Sequence, residues 1–235
     1  METEYIALGK EKRTYDAVVF DLDGTLLDTL DDLTASANAA AAFCGVPAHT
    51  RDEIRSYVGN GIRKLIERML PEERRDELFD MAYTRFREHY ADHCMDATEP
   101  YPGIISLLDW LKKSGYRTAI VSNKADFAVK KLHQVYFHDL IDLAAGEQEG
   151  IQKKPEPDMV YHILEQLQIP ADRALYVGDS DVDIRTAANA GMDAVIVTWG
   201  FREKDFLQRQ GARVLADNVT QLRQFIQGAD EKQKN

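Results

Sequence analysis

Residues Tyr15 to Leu27, YDAVVFDLDGTLL, restrict this chain more than any other stretch. A short apolar, β-branched run (Ala17, Val18, Val19, Phe20) stops abruptly at Asp21-Leu22-Asp23-Gly24-Thr25. Such a run bounded by a turn signal reads as a buried strand. Carboxylates at the end of a buried strand are costly unless something pairs with them. In extended backbone, residues two apart project to one side, so Asp21 and Asp23 can converge on one point. Gly24 permits a sharp turn, and Thr25 offers a hydroxyl and a backbone N–H there. Two readings stand: a strand ending in an acidic Asx-type turn, or half of a metal or phosphate site. The rest of the chain decides between them.

At 235 residues the chain can bury a substantial core, as one large domain or two smaller ones. Its net charge of −11, with no basic stripe to offset it, argues against a nucleic-acid partner. An anionic substrate must then be held locally, by a metal, a few cations or backbone N–H groups. Cys44 and Cys94 lie far apart without CxxC spacing and read as buried reduced thiols. No apolar run approaches spanning length and no signal-peptide pattern opens the chain, so no membrane partner and a cytoplasmic home are the default expectation.

Residues 1–14 show no periodicity, and an extension, a loose arm and an added edge strand all stay open. Apolar spacing then predicts helices at 30–43, 51–57, 62–70 and from Pro71 to about Tyr90, so 28–97 reads as an all-helical domain inserted after the first strand. Beyond Tyr101-Pro102-Gly103, strands alternate with helices. Strands are predicted at 117–121, 141–144, 174–177, 194–197 and 213–215. Helices are predicted at 104–113, 126–136, 158–167, 184–190, 203–210 and 219–227, with a polar tail over 228–235. The alternation predicts an α/β core, 1–27 with 98–235: a Rossmann-like, mostly parallel sheet with helices on both faces. Ligands of such sheets bind beyond the C-terminal strand ends, where strand order reverses.

Three strands end there in polar residues: Asp21/Asp23, Ser122/Asn123 and Asp179/Asp183. One Asp at a strand end is a common helix cap, but a third such end makes coincidence hard to sustain. Asp21-Leu22-Asp23-Gly24-Thr25, Ser122-Asn123, Lys154-Pro155-Glu156-Pro157 and Gly178-Asp179-Ser180 with Asp183 resemble the four motifs of the haloacid dehalogenase superfamily, in order and spacing. The resemblance spans about residues 15–227. The helical insert is similar to the α-helical cap of one subclass, and Tyr57-Val58-Gly59-Asn60-Gly61 with Tyr101-Pro102-Gly103 resembles its phosphoglycolate phosphatases.

The resemblance implies a role for each residue. Asp21 is the nucleophile, forming an aspartyl-phosphate. Asp21, the backbone carbonyl of Asp23 and Asp179 hold Mg²⁺, which suits all-oxygen ligands. The Asp23 side chain is general acid and then base. Lys154 bridges Asp21 and the phosphate, while Ser122, Asn123 and Thr25 hydrogen-bond the phosphoryl oxygens. Asp183, with Ser180, orients the shell around the metal or Lys154, unless Asp183 merely caps a helix. Other acidic groups read as structural: Asp28 a helix cap at the hinge, Asp31 and Asp32 favouring their helix dipole, Asp181 facing solvent. Lys153 is a decoy for Lys154, and none of the histidines reads as functional.

The implied reaction is Mg²⁺-dependent hydrolysis of a small anionic phosphate ester such as 2-phosphoglycolate, under a cap that excludes water. Gly59, Asn60 and Gly61 form a loop at a helix N-terminus that can offer N–H groups to the leaving group. Arg63 and Lys64 could add charge, although an ordinary solvated helix face is their preferred reading. Pyrophosphate, sugar phosphates and nucleotides remain as alternative substrates. Asp23 argues against a dehalogenase, and Gly178 stands where related mutases usually carry Glu. A non-catalytic phospho-accepting or binding module is the reading from a different class. Whether the chain is a monomer or a homodimer is undetermined by sequence.

Overall fold

The computed structural model describes residues 15–228; the expectations for 1–14 and for the end of the polar tail lie outside them. The apolar run becomes strand β1 (Ala17–Phe20), buried along its whole length. After the Asp21–Thr25 turn comes β2 (Leu27–Asp28), followed by helices α1 (Leu30–Phe43), α2 (Arg51–Tyr57), α3 (Ile62–Met69) and α4 (Arg75–His93). Strand β3 (Glu99–Pro100) returns antiparallel to β2, so a two-strand ribbon carries the chain out of the sheet and back. Then follow α5 (Ile104–Lys113), β4 (Arg117–Ala125), α6 (Asp126–Leu132), β5 (Leu143–Glu147), α7 (Asp158–Leu167) and β6 (Ala174–Gly178). The chain closes with α8 (Asp181–Ala190), β7 (Asp193–Val197), α9 (Lys204–Arg209), β8 (Leu215–Ala216) and α10 (Val219–Gly228).

The main sheet has the order β5-β4-β1-β6-β7-β8, and every pairing in it is parallel. After β1 the chain builds outward on one side through β4 and β5, then on the other through β6, β7 and β8. Strand order therefore reverses at β1. Register completes the placement: Phe20 lies opposite both Ile120 and Val177. Just beyond this row, Asp21 one residue after Phe20, and Ser122 and Asp179 two residues after Ile120 and Val177, emerge at one edge.

Helices cover both faces of this sheet. One apolar cluster joins Phe20 and Val18 to Leu107, Leu111 and Ile226; the other joins Val19 and Tyr176 to Val160 and Ile163. A third belongs to α1–α4, with Leu65, Ile66, Leu78, Phe86 and Tyr90 at its centre and Ala128 and Phe201 reaching in from the sheet side. Burying each such side chain is worth about 1.5–3 kcal/mol, which is what seats the helical layer. Among the described residues, no helix is long and apolar enough to cross a membrane.

Element boundaries moved where capping or turning overrode periodicity. β4 runs on to Ala125 instead of stopping at Val121, so Ser122, Asn123 and Lys124 are strand residues. β5 starts at Leu143, because the Ile141 N–H is still taken by the Phe137 carbonyl. α6 ends at Leu132 and passes into a π-helical turn over His133–Phe137. α8 begins at Asp181 instead of Ile184, drawn forward by a reciprocal cap between Ser180 and Asp183.

Candidate active site

Asp21 leaves β1 almost buried, with one carboxylate oxygen accepting from the Leu22 N–H at 2.7 Å. Lys154 Nζ reaches that same oxygen at 2.9 Å. It also donates to Asp183 Oδ1 at 2.8 Å and to the Tyr176 hydroxyl at 3.1 Å. Asp183 is saturated: Tyr176 donates to Oδ1, while Oδ2 accepts from the Asp179 and Ser180 N–H groups and the Ser180 hydroxyl. The two readings of Asp183 are thus not alternatives, since one carboxylate caps α8 and orients Lys154. Lys153, by contrast, lies at the surface beside Glu147.

Asp179 is clamped from both sides. Its Oδ2 accepts from the Phe201 N–H at 2.7 Å and its Oδ1 from the Thr25 hydroxyl at 3.3 Å. A Cβ at Gly24 would lie 2.4 Å from Asp179 Oδ2, and one at Gly200 2.3 Å from it, so both positions must lack a side chain. Gly24 also has φ +86, which glycine adopts without strain. Thr25 itself does not line the cavity, because its hydroxyl is spent on Asp179.

Carboxylate oxygens of Asp21, Asp179 and Asp183 lie within 4.8 Å of one another. Burial, set against the Lys154 ammonium and aided by Asp183 and Asp23, pushes the Asp21 carboxyl up to about 7. Burial and the charges of Asp183 and Asp21 raise Asp179 well above the carboxylate range, against the Phe201 N–H. Asp183 goes the other way: burial is outweighed by Lys154 and the donors from Ser180 and Tyr176. Asp21 and Asp179 are therefore under-neutralised while Asp183 is satisfied. An oxygen-only donor set with surplus negative charge fits a hard divalent cation such as Mg²⁺.

On the far side of Asp21, Asp23 Oδ1 lies 2.7 Å from the Lys124 ammonium. Lys124 is buried, and the attraction of Asp23 and Tyr90 overcomes its burial penalty and raises its pKa. Sequence reasoning passed over it, although its place beside Ser122-Asn123 on the same strand end is a usable signal. The Lys124 N–H donates to Ser122 Oγ at 3.3 Å, and Asn123 Nδ2 donates to the carbonyls of Lys154 at 2.9 Å and Gly59 at 3.3 Å.

Above this floor lies a cavity of about 60 Å³, space for only a few water-sized groups. Leu33, Val58, Ile62, Leu65 and Tyr90 roof it, with Gly59 and Gly61 at its rim. Asn60 is not in the lining; its side chain accepts from Arg68. Arg63 and Lys64 are also absent from it, Arg63 lying over the Phe79 ring and Lys64 pairing with Glu67. Reciprocal arginines close the roof. Arg202 donates to the Arg55 and Val58 carbonyls at 2.9 and 2.7 Å, while Arg55 donates to the Gly200 carbonyl at 3.2 Å. Asp181, expected to face solvent, is instead half-buried between Arg185 and Arg202. Asp32, expected only to favour a helix dipole, is buried and accepts from the Ala97 and Thr98 N–H groups and the Thr98 hydroxyl. It ties α1 to the segment returning to β3.

Residues 18–197 match the haloacid dehalogenase-like hydrolase family. Similar proteins include a phosphoglycolate phosphatase of Neisseria gonorrhoeae, 37% identical over 82% of this chain and 84% of that one. Another is a phosphoglycolate phosphatase of Aquifex aeolicus, 34% identical over 78% and 85%. A crystal structure from Lactobacillus delbrueckii subsp. bulgaricus superposes with a TM-score of 0.87 at 37% identity, covering 92% of this chain and 99% of the other. The chain belongs to the haloacid dehalogenase-like hydrolase family, among its phosphatases.

Proposed function

We propose that this phosphatase hydrolyses small anionic phosphate monoesters of the 2-phosphoglycolate type in a Mg²⁺-dependent reaction. The observation that carries this reading is the meeting of Asp21, Asp23, Ser122, Asn123, Lys154 and Asp179 on one small roofed cavity. Asp21 attacks phosphorus, and the bond from phosphorus to the leaving oxygen breaks as Asp23 donates a proton to that oxygen. Asp23 then takes a proton from water as the water attacks the aspartyl-phosphate. The phosphorus–Asp21 bond breaks, and inorganic phosphate leaves. Lys154 offsets charge on Asp21 and the transferring group, with the Ser122 hydroxyl placed beside it as a donor, while the Asn123 amide, spent on the Lys154 and Gly59 carbonyls, fixes the lysine's loop. Bound between Asp21, the Asp23 carbonyl and Asp179, Mg²⁺ would screen the carboxylate from the phosphate dianion.

Helices α1–α4, over residues 28–97, act as a cap on this reading, hinged at the β2–β3 ribbon. The leaving group is selected by an apolar roof with backbone groups at Gly59 and Gly61. The names of the curated relatives favour 2-phosphoglycolate over sugar phosphates and nucleotides. The test is a phosphate-release screen over 2-phosphoglycolate, pyrophosphate, sugar phosphates and nucleotides, with and without EDTA. Asp21→Asn should keep the fold and lower turnover by at least about 10⁴-fold. Full activity in that variant, or activity indifferent to EDTA, would sink the mechanism.

A further inference from the structure

A buried lysine and a roof tyrosine stand beside the proposed acid/base, and the mechanism above leaves both unused. Lys124 lies on β4 two residues after Ser122, with its side chain 3% exposed and Nζ 2.7 Å from Asp23 Oδ1. Its ammonium also sits 4.7 Å from the centroid of the Tyr90 ring. Tyr90 belongs to α4, where it stacks on Phe86 with ring centroids 5.5 Å apart, as a member of the helical layer's own core. Asp23, Lys124 and Tyr90 all line the cavity. The ammonium is thus shared between a carboxylate of the sheet edge and an aromatic face of the roof.

We infer that Lys124 is a positioning residue for the Asp23 carboxyl, and that Tyr90 makes this positioning depend on the helical layer being seated. The inference rests on Asp23 as the acid/base proposed above. A carboxylate on two rotatable bonds has several staggered placements, and proton transfer tolerates little misplacement. A charge-assisted contact at one oxygen selects one placement. Lys124 reaches that oxygen on a flexible four-carbon stem, so its own position needs fixing. The ring face of Tyr90 supplies a second attraction, since cations within about 6 Å of an aromatic face are held there. Lifting α4 away would take that face from the ammonium and give it water instead. Roof and acid/base are thereby linked through one side chain that need touch neither phosphorus nor metal.

A structural salt bridge would show the same distances, so the test must separate positioning from stability. The readout is kcat/KM, which reports formation of the phosphoenzyme, on two substrates. Leaving as an alkoxide, the alcohol of 2-phosphoglycolate needs a proton; the phenolate of p-nitrophenyl phosphate does not. Lys124→Met should lower kcat/KM about 10²-fold on the alkyl ester and less than about fivefold on the aryl ester, the pattern of lost general acid catalysis. Asp23→Asn should show the same selectivity, and adding Lys124→Met to it should cost less than about twofold more, as expected for residues acting as one unit. Tyr90→Leu keeps both charges and the apolar fill, and should repeat the pattern at about tenfold on the alkyl ester. It carries the test alone if Lys124→Met fails to fold. Equal losses on both esters, or additive losses in the double variant, overturn the role of Lys124. An Asp23→Asn enzyme at wild-type rate on the alkyl ester would instead remove the acid/base reading itself.

Discussion

Floor and roof of the cavity are built on opposite terms. Every charged side chain lining it (Asp21, Asp23, Lys124, Lys154, Asp179 and Arg202) comes from the sheet unit, whereas α1–α4 contribute Leu33, Val58, Ile62, Leu65, the Tyr90 ring and glycine backbone. Floor carboxylates are held by several donors each, as Asp183 and Asp179 illustrate. The roof instead touches the floor at a few bridging contacts, chiefly the Arg55/Arg202 pair and Asn123 to Gly59. On the proposed reading the polar floor carries the chemistry, while the apolar roof, moving as a cap, would exclude water and limit what enters. Changes in the floor should then abolish reaction or metal binding, and changes in the roof should shift substrate affinity and selectivity.

Lys154→Met should produce the largest effect. It strips Asp21 and Asp183 of their shared cation in a site closed to solvent. Breaking a buried pair this way typically costs about 3–5 kcal/mol, and loss of the transition-state cation should lower phosphate release at least about 10³-fold. Urea unfolding and a turnover assay check both halves. A variant as stable and active as wild type would break the comparison outright. Next comes Gly200→Ala, whose Cβ would collide with Asp179. Pushing that carboxylate aside should weaken Mg²⁺ about 10- to 100-fold, the usual cost of disturbing a ligand's supports. A magnesium titration of activity reads this directly, and an unchanged midpoint would reject Asp179 as a ligand.

What the sequence disclosed follows the same division. The floor was legible because strand ends concentrate polar residues where no strand needs them, so Asp21, Ser122 and Asp179 announced one edge before register placed them there. Lys124 escaped notice because a lysine after Ser-Asn reads as ordinary surface until β4 is seen to continue through it. Gly200 and Phe201 escaped for another reason: their contribution is a missing side chain and a backbone N–H, which no residue type advertises. The roof helices were legible from periodicity. Arg63 and Lys64, read by preference as an ordinary solvated helix face, stay out of the cavity, which α3 lines with Ile62 and Leu65. Thr25 shows the limit of motif reading, since its hydroxyl serves Asp179 and not the cavity.

Titration offers a test of the floor that needs no substitution. Asp21 is raised from 3.8 to about 7, and Asp179 is raised as well, so the folded metal-free protein keeps protons that the unfolded chain has released. Unfolding therefore releases protons in this window, and stability must fall as pH rises from about 4 to about 7. Asp183, lowered, stabilises above its ordinary value and loses that contribution only as pH falls below it, outside this window. A tenfold change in a carboxyl's proton affinity on folding corresponds to about 1.4 kcal/mol, so the sloping part should be on the order of a few kcal/mol. Mg²⁺ should cancel it by holding both carboxylates ionised, raising Tm more near pH 8 than near pH 5. Scanning calorimetry with and without Mg²⁺ reads both slopes. Equal Mg²⁺ effects on Tm at the two pH values would mean that the floor is not under-neutralised.

Arg202→Met should give the smallest effect and is the cleanest test of the roof. Its guanidinium joins the floor loop, whose Phe201 N–H holds Asp179, to the carbonyls of Arg55 and Val58 at the end of α2. Removing it leaves the donors to Asp179 in place but frees those carbonyls and takes away one charge that favours ionised Asp179, so the roof should open more often with only a modest change beneath. Hydrogen bonds from a charged donor are worth about 1.5–3 kcal/mol each, but an opened roof lets water replace them, so a rise in KM of about five- to twentyfold is the scale to expect. Turnover at saturating substrate should fall less than about threefold, because a seated roof still presents the same floor. A steady-state measurement on 2-phosphoglycolate separates the two constants. If kcat falls as far as Mg²⁺ affinity does, Arg202 acts through Asp179, and the division between a floor that reacts and a roof that admits would have to be redrawn at residue 201 instead of at the hinge.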